Sequence, residues 1–213
     1  MSEADNVTKR HHKWIEITSA ILLALATVAS AWGAYQSTRW HGKQAVRFAS
    51  SNATRIHSSE KYDAAFQQIA ADAAAFSDYV LAYSQQDTKV VAFYENNLFR
   101  PEMKTALEAW KATRPLQNPG APKTPFEMKE YRNANLEEAQ ALERDATKYT
   151  ESADKAIQNA DRYVLLTVLF ASVLFFAGIS TKFNTLKIKY GLLAGGVVLF
   201  FSAVVVLLFQ PFA

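Results

Sequence analysis

Cysteine is absent. That excludes disulfides, thiolate nucleophiles and Cys-based zinc or iron–sulfur sites, and it leaves the compartment open. Proline and glycine are scarce, 6 and 7 among 213 residues. No proline precedes Pro101, and neither residue occurs between Pro125 and Gly178, so long helices meet few breakers. Net charge is only +3 and the bases are dispersed, which does not make a nucleic-acid footprint. The fingerprints G-x-S-x-G, H-E-x-x-H, the phosphate-binding loop and the dinucleotide turn are all missing. No catalytic, cofactor-binding or metal residue is therefore assigned, and the chain reads as non-enzymatic.

What the chain does have is segregated hydrophobicity, which its mean hydropathy of −0.09 conceals. Residues 15–35 form a nearly unbroken apolar run directly after a basic cluster. About 20 such residues cross a bilayer as a helix, because lipid leaves backbone amides no other partner. Two further runs follow near the end of the chain. The expected layout is a basic tail 1–13, spans 14–36, 163–181 and 190–209, a basic turn 182–189 and a short tail 210–213. Between the first two spans lies a helical block, 37–162, interrupted by a loop at 114–125. Lys9, Arg10 and Lys13 ahead of Ala29-Ser30-Ala31 also fit a cleaved signal peptide, but the apolar stretch runs past that cut to Tyr35.

Trp14, Trp32, Tyr35, Trp40, Tyr163 and Tyr190 fall at the span ends, where amphipathic rings anchor at headgroup level. The second half of the first span is built of small residues. Glu16, Ala20, Leu23, Thr27, Ser30, Ala34 and Ser37 form one stripe, read as a close helix-packing face or, alternatively, as the polar lining of a narrow pore with Glu16 at its mouth. Gly191-x-x-x-Gly195 is a second small-residue contact motif.

In the middle block, Tyr62, Phe66, Ile69, Ala73, Phe76, Val80 and Tyr83 alternate in steps of four and three, and the helix is expected to run on to Asn96-Asn97 and Pro101. A shorter helix follows from Pro101 to about Thr113, and Asn118-Pro119-Gly120 suits a type II turn. Thr124, Pro125 and Glu127 make a helix-start signal for one helix running into the second span. Its seam is Ala139, Leu142, Ala146, Tyr149, Ala153, Ala156, Ala160 and Tyr163. The fold class is thus all-α: three transmembrane helices with a long antiparallel helical hairpin or bundle inserted between the first and second.

Lys9, Arg10 and Lys13 with Lys182, Lys187 and Lys189 are matched in number by Arg39, Lys43, Arg47, Lys148, Lys155 and Arg162 on the other side, but long loops translocate regardless of charge, so the N-terminus and second turn are expected in the cytoplasm and the helical domain outside. His11 and His12 belong to the basic tail, His41 and His57 lie on nearly opposite helix faces, and His57, Glu60 and Asp63 make a solvated polar face rather than a metal cage.

The basic, histidine-bearing start, the alanine-rich first span, Ala34-Tyr35-Gln36 with Arg39 and Lys43, the long insert and the closing two-span hairpin resemble a group of bacterial inner-membrane proteins known only as a domain of unknown function. The resemblance implies a bacterial multi-pass protein of the inner membrane, and it carries no activity; the basic residues put the helical domain on the periplasmic or extracellular side. The expected partners are the lipid bilayer, further copies of the chain in a homo-oligomer, and a protein bound by the helical domain. The expected role is an assembly or partner-binding scaffold, with an oligomeric channel or transport subunit as the alternative.

Overall fold

The computed structural model describes residues 3–115, 117–183 and 185–213, with side chains from Lys13 onward. The side chains of Lys9, Arg10, His11 and His12 lie outside the described set. The protein is all-α, with helices α1 (Glu3–Ser84), α2 (Thr88–Phe93), α3 (Pro101–Ala112), α4 (Ala134–Ser180) and α5 (Leu186–Leu208). A π turn, Tyr94–Leu98, and a 3-10 turn, Pro125–Glu127, complete the order. Three of the helices, α1, α4 and α5, are long and apolar enough to cross a membrane, which suggests a membrane protein.

The helix ends show local chemistry at work. α1 passes through Gly42 without a break but stops at Ser84, short of the expected Asn96-Asn97. There Gln86 takes a left-handed backbone (φ 58°), and the Asp87 carboxylate caps α2 by accepting from Val90 N at 3.1 Å. Pro101 does open α3. The Thr124-Pro125 signal yields only the 3-10 turn; α4 starts nine residues later. Its cap is Asn133, whose side-chain oxygen accepts from Leu136 N at 3.1 Å. Asn118 and Ala121 close a turn, but no glycine has positive φ, so the expected type II geometry at Gly120 is not adopted. The basic turn is also shorter than expected, since Leu186–Lys189 are already helical.

The chain divides into two compact units: Met1–Ser50 with Tyr149–Ala213, and Ser51–Lys148. In the first unit, α1 and α4 run antiparallel, pairing Ser19 with Ser180 (Oγ–Oγ 3.2 Å) and Gly33 with Thr167. α5 joins them at Gly196, where a Cβ would stand 3.4 Å from Phe176 and 3.5 Å from Leu22. Leu22, Ala26, Leu166, Phe170, Leu193 and Phe200 fill the core. A Cβ added at Gly191 or Gly195 would meet nothing within 4 Å, so the glycine in close contact with the other helices is Gly196 and not the expected pair.

The second unit is also antiparallel. Ser51 and Ser58 hydroxyls donate to the Ala146 and Ala139 carbonyls at 3.0 and 2.9 Å, and Arg55–Glu143 and Lys61–Glu138 ion pairs flank them. Ser51, Ser58, Ala65 and Asp72 are buried at heptad spacing on α1, opposite Ala139 and Ala146 on α4. A small residue every seventh position on both helices lets the backbones approach until a serine reaches across. On α4 the expected seam is buried at Ala139, Ala146, Ala153, Ala156, Ala160 and Tyr163, with Leu142 and Tyr149 half-buried beside it.

On α1 the seam is rotated by one residue. Phe76 is buried and Tyr62 and Ile69 half-buried, but Phe66, Val80 and Tyr83 are exposed while Ala65, Asp72, Tyr79 and Ala82 are buried. At Phe66 and Tyr83 close approach selects the smaller neighbours Ala65 and Ala82, whereas at Val80 it is the larger Tyr79 that packs inward.

Candidate functional site

The first span presents three faces. Ile15, Ser19, Leu22, Ala26, Gly33 and Ser37 are buried against α4 and α5. Ile17, Ile21, Leu25, Val28, Trp32 and Tyr35 form a large, exposed apolar face. Roughly a third of a turn from the inner face, at 100° per residue, runs a third stripe: Ala20, Ala24, Thr27, Ala31, Ala34 and Thr38, all exposed, with Glu16 continuing it toward the N-terminus.

The stripe read from the sequence therefore splits. Ser37 is buried and Leu23 and Ser30 are half-buried against the chain's own helices, whereas Glu16, Ala20, Thr27 and Ala34 remain open. Thr27 and Thr38 hydroxyls donate to their own Leu23 and Ala34 carbonyls at 2.7 and 3.0 Å. Such back-bonding spends the hydroxyl inside the helix and leaves a small, mostly apolar surface. Gly33 shows how tightly the other face is closed, since a Cβ there would meet Thr167 Cγ2 at 3.0 Å.

Residues at the far end of the spans converge on one carbonyl. Trp40 Nε1 and the Tyr163 hydroxyl both donate to Pro211 O, at 3.1 and 3.2 Å, and the Gln36 side chain accepts from Ala213 N at 2.9 Å. Tyr163, expected as an interface anchor, is fully buried and spends its hydroxyl on Pro211 O. Trp14, Trp32, Tyr35 and Tyr190 are exposed as such anchors require, and Trp40 is half-buried. Nothing in the sequence signalled that the 210–213 tail would fold back here.

In the second unit, Phe76, Tyr79, Phe99, Met103 and Leu107 form an aromatic-rich core. Tyr79 donates to Glu95 at 2.9 Å, and Lys111 pairs with the same carboxylate. Burial alone would raise Glu95, but the Lys111 ammonium and the Tyr79 hydroxyl hold it below the usual carboxylate range. Beside them Tyr79, Val80, Tyr83, Trp110, Lys111 and Arg114 line a cleft of about 290 Å³. His57 contacts Glu60 at 3.2 Å in the open, and among the described residues no cluster of His, Asp and Glu has metal-ligand geometry. No protein-family model matches the chain, and neither a curated protein nor a solved structure matches it.

Proposed function

We propose that the protein is a non-enzymatic, self-associating membrane protein whose helical insert serves as an assembly or partner-binding scaffold. One observation carries the reading: α4 and α5 cover one face of the first span and leave the stripe through Ala20, Ala24, Thr27, Ala31 and Ala34 open. A lipid-facing surface gains from large side chains, as on the Ile17–Val28 side, whereas small ones favour close contact with another helix. A second copy of the first span is the occupant that fits. In the insert, exposed Phe66, Val80, Leu81 and Phe93 supply apolar surface for a partner.

The pore alternative retains Glu16, exposed on the same stripe. It is the weaker reading, since the Thr27 and Thr38 hydroxyls bond their own helix and offer little polar lining. For topology, the basic residues flanking the N-terminus and the turn favour a cytoplasmic N-terminus and an external insert. Light scattering of the full chain in mild detergent tests self-association. The wild type is expected as a dimer or larger, and Ala24→Leu with Ala31→Leu is expected to shift it toward monomer. A monomeric wild type refutes the proposal.

A further inference from the structure

A basic groove opens where the apolar stretches end. Trp40, Tyr163 and Pro211 meet at that level, tied through the Pro211 carbonyl. Immediately beyond, Arg39, Lys43 and Arg47 stand on successive turns of α1 and line a groove of about 800 Å³ whose other wall is Ser152 and Ala156 of α4. The rise from Trp40 to Arg47 is ~10 Å, comparable to the roughly 5–8 Å that headgroups add on each side of the hydrocarbon.

These cations are not consumed inside the fold. Among the described residues, no carboxylate forms an ion pair with any of the three. Lys43 Nζ lies 4.6 Å over the Trp40 ring and the Arg47 guanidinium 5.9 Å over Tyr149, contacts that orient the side chains without neutralising them. Gly42, which also lines the groove, leaves space open there, since a Cβ added to it would meet nothing within 4 Å.

We propose that this groove seats the phosphate of an anionic phospholipid, with Arg39 and Lys43 on the phosphate, Arg47 on the outer headgroup, and Trp40 packed along the glycerol and upper acyl region. The inference rests on the membrane reading. Unpaired bases immediately outside a span attract anionic lipid about fivefold each, on the order of 100-fold for three.

The test is native mass spectrometry of the full chain in nonionic detergent with dioleoyl phosphatidylglycerol or dioleoyl phosphatidylcholine. Phosphatidylglycerol adducts are expected to dominate by roughly tenfold or more. Arg39→Gln, Lys43→Gln and Arg47→Gln together should remove that preference, while Arg39→Lys with Arg47→Lys keeps it. Lys182→Gln with Lys187→Gln, at the opposite span ends, should also keep it. Equal retention of both lipids, loss of preference in the Lys182/Lys187 variant, or complete displacement by inorganic phosphate overturns the site; the last result assigns it to a soluble anion. A chain that stays soluble and monodisperse without detergent overturns the membrane reading itself.

Discussion

The Tyr131 hydroxyl donates to Asp72 Oδ2 at 2.8 Å, the same oxygen that accepts from Arg100 Nε at 2.8 Å. One buried carboxylate thereby ties α1 to the start of α3 and to the segment leading into α4. The Arg100 guanidinium also lies 5.3 Å over the Tyr131 ring. Asp72→Asn removes the one buried carboxylate facing the Arg100 guanidinium, leaving it only the exposed Glu102 carboxylate at 3.1 Å, and is expected to cost about 3 kcal/mol of stability in the second unit. Tyr131→Phe removes one charge-assisted bond and should cost about 1.5–3 kcal/mol. Denaturant unfolding followed through Trp110 fluorescence, with Trp14, Trp32 and Trp40 replaced by Phe, checks the order; Tyr131→Phe costing more than Asp72→Asn contradicts it.

The same cluster sets an alkaline limit. Burial and the Asp72 carboxylate push the Tyr131 hydroxyl up to about 12, from the ordinary tyrosine value of 10.0. A folded-state value above the unfolded one means stability is fully present below pH 10 and lost as pH rises toward 12. Wild-type melting temperature should therefore fall more steeply between pH 9 and about pH 11 than that of Tyr131→Phe. Parallel declines would show that this hydroxyl does not govern the loss.

The rotated seam on α1 separates two otherwise similar substitutions. Ser58→Leu forces a large side chain between helices and should cost about 1–3 kcal/mol. Phe66→Ala, on the exposed side, should change stability by no more than about 0.5 kcal/mol. A larger loss at Phe66 in the solubilised monomer would restore the register read from apolar size.

Glycines in the first unit make a parallel comparison. Gly33→Ala places a methyl against Thr167, whose χ1 is stiff and whose hydroxyl is committed to Val164 O, and should cost about 1–3 kcal/mol. Gly195→Ala meets open space and should be close to neutral or slightly stabilising through helix propensity. Thermal melts in detergent showing equal effects would contradict the inner-face assignment.

These contrasts show how far the sequence could be read. The existence of the long helices follows from missing breakers, and the α4 seam from alanines at heptad spacing that compete with no larger neighbours. α1 is harder because two stripes lie side by side. At Phe66 and Tyr83 the adjacent Ala65 and Ala82 are the packed residues. Apolarity measures what leaves water, while helix spacing is set by what fits between backbones, and here these differ by one residue. The Ser84 break was hidden for another reason: Gln86 adopts a left-handed backbone that sequence signals normally reserve for glycine or asparagine. The Pro211 carbonyl as shared acceptor depends on three distant segments meeting, which no local pattern encodes.

The absence of native cysteine makes the decisive measurement clean. Single cysteines placed at Ala24, Ala31 and Leu25 are oxidised in native membranes, and disulfide-linked dimers are scored on denaturing gels. Self-association through the open small stripe predicts efficient crosslinking at Ala24 and Ala31 and little at Leu25, about 100° away on the large apolar face. No crosslink at either alanine, or a crosslink at Leu25 as strong as theirs, would show that lipid and not a second copy covers that stripe.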